Sequence, residues 1–254
     1  MQDDSALARA IAMVQDLRAR CAWDRMQTRQ TLRPYLVEEV LELDAALRDG
    51  DAAAIRDEVA DLMLHLAWQL VLGLEAGEFT PATIADDLVA KMRRRHPHLF
   101  DLGPAEAWQA LKQRERPVES GALAGLPVTL PALQLAYRLQ ERAAATGFDW
   151  RDAAGPLAKV REEVTEVEQE LAANDPNSSE RLADEIGDLL FAVVNVARKA
   201  AVQPGHALDR ANQKFRDRFE AIERLAQERG IAMETAGLAA LDALWDEVKS
   251  RERA

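Results

Sequence analysis

The segment LADEIGDLLFAVVNVARK, residues 182–199, determines the fold class. Its apolar residues recur every three or four positions, which places them along one face of an α-helix. These positions are Leu182, Ile186, Leu189, Val193 and Val196. Glu185, Asp188 and Asn195 lie in one line beside that face. Acidic side chains at the border of a packing face add nothing to a core, so their alignment indicates a binding site as well as a packed helix.

Composition extends this helical pattern to the whole chain of 254 residues, which is rich in Ala, Leu, Glu and Arg. Residues with high β-propensity do not gather into alternating runs between turn residues. Apolar residues make up 48% of the chain and charged residues 30%, a balance typical of soluble globular proteins. We therefore predict an all-α protein.

Charge and the length of the apolar runs exclude several classes of function. The formal net charge is −12, and no basic face is available to bind a nucleic acid. The longest apolar run, LLFAVVNVA, is shorter than the ~20 residues that a membrane helix needs. The amino-terminal sequence MQDDSALARA is acidic, unlike a signal peptide, and Cys21 is the only cysteine. We expect a cytoplasmic protein that binds neither membranes nor nucleic acids.

Four sequence blocks occur twice in the same order, which indicates an internal duplication. The first half contains EEVLE (38–42), RDEVADLMLHL (56–66), KMRRR (91–95) and WQALK (108–112). The second half contains EEVTE (162–166), ADEIGDLLFAV (183–193), KFRDR (214–218) and WDEVK (245–249). A Pro/Gly-rich stretch separates the halves. We predict two helical bundle units, 1–116 and 131–254, of about four or five helices each, joined by a linker at 117–130.

Acidic residues at helical spacing occur on two successive helices of each half. They are Glu163, Glu166, Glu185 and Asp188 in the second half and Glu39, Glu42, Glu58 and Asp61 in the first. Short connections make the paired helices antiparallel neighbours, so their acidic stripes face each other. Carboxylates about 4 Å apart repel by about 4 kcal/mol, so either some hold a proton or a cation lies among them. Oxygen ligands favour Mg²⁺, Mn²⁺ or Ca²⁺, whereas the alternative is a solvated acidic face.

At these positions the chain resembles the MazG family of nucleoside triphosphate pyrophosphohydrolases, whose signature is EExxE, a spacer and ExxD. That signature is matched by Glu162, Glu163, Glu166, Glu185 and Asp188, and again by Glu38, Glu39, Glu42, Glu58 and Asp61. CAWDRMQT (21–28) resembles the family's CPWDxxQT, RRHPHLF (94–100) its RRHPHVF, and LPALQLAYRLQERAAATGFDW (130–150) the opening of its second unit. The likeness covers nearly the whole chain and includes the tandem arrangement.

The resemblance implies the reaction NTP + H₂O → NMP + PPi, in control of the nucleotide pool, with Mg²⁺ required and Mn²⁺ as a substitute. It also implies that the metal ligands are Glu163, Glu166, Glu185 and Asp188. Three roles are open for the neighbouring Glu162. It positions a ligating side chain, it acts as a base that orients water, or it is simply a solvated side chain. The resemblance also implies a dimer, so we expect a homodimer.

Several other side chains of the second half are candidates for binding the nucleotide. Lys214 and Arg218 share a helix face in a KxxxR pattern that the family also has, and Lys249 follows Trp245 by four positions. Lys and Arg bind phosphate well, although such pairs also occur on solvated faces. Three roles are open for Asn195: it contacts the sugar or the base of the nucleotide, it orients a ligating carboxylate, or it is an amide in the core. Two are open for Trp245, which either stacks on a base or anchors the last helix. The corresponding residues of the first half are Lys91, Arg95, Trp108 and Lys112.

The two halves differ along the acidic stripe. Where the second unit has Ala192 and Asn195, the first has His65 and Trp68. We expect Trp68 to take space that a nucleotide needs, and His65 to be either a metal ligand or a packed residue. The second unit is therefore predicted to carry the main catalytic site, while the first is auxiliary or weakly active. Trp150 is assigned to the core or to the wall of a pocket.

Two other functions fit parts of the same pattern. A degenerate duplicate would be a non-catalytic regulator that binds nucleotides or a protein partner without releasing PPi. A di-metal carboxylate oxidoreductase would need a Glu-x-x-His motif, which neither acidic helix pair contains. A preference for dUTP or dCTP within the enzymatic interpretation depends on pocket contacts that no spacing reveals.

Overall fold

The computed structural model describes residues 5–100, 102–106, 111, 114–115, 121–173 and 178–252. Every regular element in these ranges is helical, which confirms the predicted all-α class. The chain divides into two compact units, Met1–Ala107 and Trp108–Ala254. The limits of the linker predicted at 117–130 stay a prediction. No helix in the described ranges is long and apolar enough to cross a bilayer.

The first unit has five α-helices in its described part. They are α1 (Ala6–Arg20), α2 (Ala22–Arg25), α3 (Arg29–Asp49), α4 (Ala52–Glu75) and α5 (Pro81–Arg95). A capping box between Thr28 and Thr31 starts α3. At its other end Gly50 takes a left-handed φ of 72°, and the Asp51 side chain then caps α4 by accepting two backbone N–H bonds. The connection between α3 and α4 is therefore short, as predicted for the paired acidic helices.

The core of the first unit lies where α1 and α3 pack on α4. Its buried side chains are Val14, Leu32, Ala67, Trp68 and Val71. Trp68 is only 3% exposed, with the Arg18 guanidinium over its ring. The expectation that this ring takes space that a nucleotide needs is therefore wrong, because the ring lies in the core. A large apolar ring gains more free energy by filling the core than by lining an open groove.

The second unit has six α-helices in its described part. They are α6 (Ala132–Ala144), α7 (Ala154–Ala172), α8 (Ser178–Lys199), α9 (Pro204–Glu228), α10 (Met233–Ala236) and α11 (Leu238–Arg251). A core of Ile222, Leu225, Ala226, Leu244 and Val248 joins α9 to α11. The helix α8 packs against both α7 and α6. Residues 174–177 of the predicted connection between α7 and α8 lie outside the described residues.

The apolar face predicted for residues 182–199 is only partly covered. Leu182, Leu189 and Val196 are half-buried, whereas Ile186 is 42% exposed and Val193 46%. The expectation that this face packs the bundle is thus wrong for Ile186 and Val193. Periodicity identifies which side chains share a face, but it does not say which surface covers that face.

Candidate functional site

Three carboxylates of the second unit converge between α7 and α8. Glu163 comes from α7 and Glu185 and Asp188 from α8, and one oxygen of each lies within 4.8 Å of the others. Glu163 is 5% exposed, Glu185 is half-buried and Asp188 is exposed, so the cluster extends from the helix interface to solvent. Hard oxygen donors at this spacing fit a divalent cation of the Mg²⁺ or Mn²⁺ type.

Glu166, the fourth predicted ligand, lies beside this cluster rather than within it. A hydrogen bond with Glu163 is the main cause that raises the pKa of Glu166, and burial and the charge of Glu185 add to it. A raised pKa means that the protonated form of Glu166 is favoured relative to that of an isolated glutamate.

Lys159 places a positive charge on the edge of the cluster. Its Nζ lies 2.6 Å from Glu163 Oε1 and 3.0 Å from Glu162 Oε1, and these contacts raise the pKa of Lys159. Glu162 is exposed and turned toward Lys159. Of the three roles open to Glu162, this contact favours the positioning role, because Lys159 also contacts Glu163.

The first unit gathers the equivalent acids. One oxygen each of Glu39, Glu58 and Asp61 lies within 4.8 Å of the others. Burial is the first cause that raises the pKa of both glutamates. The charge of Asp61 comes next for Glu39, and that of Glu42 comes next for Glu58. Glu42 also shares a hydrogen bond with Glu39, as Glu166 does with Glu163.

His65 is packed under the first cluster. It is 6% exposed, and its Nε2 lies 3.9 Å from Glu39 Oε1, which is beyond hydrogen-bond distance. Burial lowers the pKa of the ring, against the charge of Asp61. Its buried Nδ1 has no hydrogen-bond partner among the described residues. A ligating histidine usually donates from its second nitrogen to a neighbour, so this environment favours a packed, neutral ring.

Asn195, two turns beyond Asp188 on α8, belongs to a chain of polar contacts. Arg198 donates to Asn195 Oδ1 from Nε at 3.1 Å and from Nη2 at 2.8 Å. Asp149 in turn accepts from Arg198 at 2.5 Å and from Lys199 at 3.2 Å. The loop before α7 therefore fixes the orientation of the Asn195 amide.

We expect Asp149→Asn to lower the free energy of unfolding by about 1 kcal/mol at pH 7. Hydrogen bonds from Arg198 lower the pKa of Asp149 to about 2, and Lys199 adds to them. A pKa lowered this far corresponds to about 2.5 kcal/mol, which solvent screening of the partly exposed pair reduces. Because the folded-state pKa is depressed, this stability is present above the unfolded-state value of about 3.9 and is lost as pH falls toward 2.

Urea unfolding from pH 7 to pH 2 measures this difference. Wild type and variant should differ by a constant amount down to about pH 4 and then converge. Asp184→Asn, at an exposed acid of α8, is the matched control and should change stability by less than about 0.5 kcal/mol. A difference that persists at pH 2 would contradict the ion-pair origin.

The predicted basic and aromatic residues form a second group, on α9 and α11. The Arg218 guanidinium lies 5.6 Å from the centre of the Trp245 ring and pairs with Glu252 at 2.6 Å. Lys249 is 3.4 Å from Asp246, and Lys214 is exposed. Within the described ranges, no hydrogen bond or ion pair links this group to the acidic cluster. The first-half counterparts Trp108 and Lys112 lie outside the described residues.

The sequence interpretation missed four polar residues in the second unit. Lys159 contacts the acids, Asp149 and Arg198 form the chain of contacts to Asn195, and Gln140 donates from Nε2 to the backbone carbonyl of Phe191 at 2.8 Å. Lys159 stands four positions before Glu163, a spacing that indicates an ion pair on a helix. The contacts of the other three span about 50 residues of sequence. No local pattern identifies such long-range pairs.

Comparison with known proteins yields a family model described as the MazG nucleotide pyrophosphohydrolase domain. It matches the chain twice, at residues 27–100 and 154–222. Each match includes the acidic cluster of one unit.

Individual relatives are similar over about nine-tenths of this chain. A Thermotoga maritima protein named nucleoside triphosphate pyrophosphohydrolase/pyrophosphatase MazG is 36% identical over 90% of this chain and 89% of its own. An Escherichia coli protein named nucleoside triphosphate pyrophosphohydrolase is 36% identical over 91% of each chain. YabN of Bacillus subtilis, whose name carries no function, is 38% identical over 92% of this chain and 49% of its own.

Proposed function

The chain belongs to the MazG nucleotide pyrophosphohydrolase family, and from this premise we propose that it hydrolyses ribo- and deoxyribonucleoside triphosphates with Mg²⁺ as cofactor. In this reaction the oxygen of a water molecule bonds to one phosphorus of the α–β phosphoanhydride, and the bond between that phosphorus and the bridging oxygen breaks. The products are a nucleoside monophosphate and pyrophosphate. The observation that carries the proposal is the convergence of Glu163, Glu185 and Asp188 within 4.8 Å.

In the proposed site these three carboxylates hold the metal, with Glu166 joining them when it gives up its proton. A bound divalent cation would lower the pKa of a water and offset charge on the triphosphate. Lys159 balances part of the acidic charge at Glu163. Arg218, Lys214 and Lys249 are the proposed phosphate contacts, and Arg218 exchanges its partner Glu252 for a phosphate oxygen.

The second unit is proposed as the main catalytic unit. Each unit brings three acids together, but the residue two helical turns after the last acid differs between the units. There Asn195 lines a cavity of about 500 Å³, whereas its counterpart Trp68 is buried in a core. Space beside the acids for the rest of a nucleotide therefore supports the second unit. The first unit is proposed to be auxiliary or weakly active.

The test measures products from all eight common NTPs and dNTPs, with Mg²⁺, with Mn²⁺ and with EDTA. We expect monophosphate and pyrophosphate in equal amounts, with release abolished by EDTA and restored by Mg²⁺. A diphosphate and orthophosphate product would contradict the proposed bond cleavage. Thermal stabilisation by NTP and Mg²⁺ without any pyrophosphate would favour the non-catalytic regulator.

We propose that the chain forms a homodimer, because its acidic helices leave apolar side chains exposed. Leu190 and Val193 of α8 are 53% and 46% exposed, and Leu41 and Val59 are uncovered likewise in the first unit. Burying such a face gains about 25 cal/mol for each Å² of apolar surface. Sedimentation at micromolar concentration should therefore give about twice the chain mass of 28.2 kDa. A 28.2 kDa species would contradict the dimer.

A further inference from the structure

The second unit contains a cavity whose lining includes neither the acidic cluster, nor the basic group of α9 and α11, nor the core between those helices. It has a volume of about 500 Å³ and lies between α6, the loop before α7, and α8. Its wall is mostly apolar and aromatic, formed by Leu139, Phe148, Trp150 and Phe191. Phe148 is 83% exposed, and Trp150 is held in place because its ring fills the space beside Gly155, where a Cβ would come within 2.3 Å. A ring held in this way offers a flat face to a planar ligand.

One polar group in this wall has an unmet hydrogen-bonding capacity. Gln140 is 6% exposed, and its Nε2 donates to the backbone carbonyl of Phe191 at 2.8 Å. This bond fixes the amide, because a flipped amide would bring two acceptors together. Gln140 Oε1 is then a buried acceptor with no hydrogen-bond partner among the described residues. Leaving such a group unsatisfied costs about 1–3 kcal/mol, so a ligand donor that reaches this oxygen would gain a hydrogen bond that the protein itself does not supply.

The cavity lies at a suitable distance from the acidic cluster. Phe191 and Asn195 follow Asp188 by three and seven residues on α8. With a rise of about 1.5 Å per residue, the cavity begins about 5 Å along the helix from the acids and continues to about 10 Å. That is the order of the separation between the phosphates and the base of a nucleotide.

We propose that Gln140 recognises the nucleobase of the substrate: the base lies between the aromatic walls, and one of its N–H groups donates to Gln140 Oε1. The inference rests on the proposed function and adds a residue that determines specificity. Nucleotides whose base carries an amino or imino hydrogen are accepted. A purine ring without an exchangeable N–H leaves the acceptor unsatisfied and is disfavoured.

The experiment compares ATP with purine riboside triphosphate, which lacks the amino group. We expect wild type to favour ATP by about tenfold or more in kcat/KM. In Gln140→Leu the ratio should fall to about threefold or less, because the apolar side chain demands no donor. Gln134→Leu, at an exposed glutamine of the same helix, is the matched control and should keep the wild-type ratio. Equal kcat/KM values for the two nucleotides in wild type, or an unchanged ratio in Gln140→Leu, would overturn the proposal.

Binding measurements separate this inference from the proposed function. The dissociation constants of α,β-methylene analogues of both nucleotides, measured by calorimetry, do not depend on turnover. A protein that hydrolyses every nucleotide but binds both analogues equally would refute the role of Gln140 alone. A protein that favours the ATP analogue but releases no pyrophosphate would refute the enzymatic proposal and retain the recognition site. Circular dichroism checks folding, and if Gln140→Leu does not fold, the wild-type ratios decide.

Discussion

Replacing Glu163 and Glu166 together by glutamine should lower pyrophosphate release by at least about 100-fold. The double variant removes one carboxylate from the cluster of Glu163, Glu185 and Asp188, and it removes the neighbouring carboxylate of Glu166. Glutamine keeps the size of each side chain, and Lys159 retains Glu162 as its partner. The loss should therefore appear in activity and metal affinity rather than in folding, which the melting temperature without metal checks.

The matched control is Glu39→Gln/Glu42→Gln, which makes the same change in the first unit. We expect it to retain at least about half of the wild-type rate, because the first unit has the core residue Trp68 at the position where Asn195 of the second unit lines a cavity. If both double variants lose activity, the two units act together and the assignment to the second unit fails. If only the first-unit variant loses activity, the roles of the units are reversed.

Helix identity and order could be predicted from the sequence because they depend on local information. The spacing of Leu182, Leu189 and Val196 defines α8, and the residues around Gly50 and Asp51 end one helix and start the next. The pairing of acids on α7 and α8 followed from helix geometry and a short connection. These inferences need no knowledge of distant contacts.

Burial could not be predicted with the same success. Glu163 is 5% exposed while Val193, assigned to the packing face, is 46% exposed. From hydrophobicity alone, Val193 would be expected to be the more buried of the two residues. A carboxylate reaches such a position only because specific partners hold it, here Lys159 and Glu166. Patterning carries no signal for that compensation.

Mg²⁺ should raise the melting temperature of the protein, because a cation among the acids removes their mutual repulsion. At a Mg²⁺ concentration of 100 times Kd, linkage gives about 2.7 kcal/mol of stabilisation, which is several degrees for a domain of this size. Differential scanning fluorimetry with a Mg²⁺ titration measures the shift. Glu185→Gln should weaken the response, since Glu185 is part of the cluster and also raises the pKa of Glu166.

The pH dependence of this response tests its electrostatic origin. The pKa of Glu166 is raised in the folded protein, as are those of Glu39 and Glu58. Stability from their protonated forms is present at low pH and is lost as pH rises through these raised values. Protons therefore relieve more of the repulsion in the metal-free protein at the lower pH than at the higher pH. The Mg²⁺-induced rise in melting temperature should be smaller at pH 5 than at pH 7.5, and an equal rise at both pH values would show that the acids do not hold the ion.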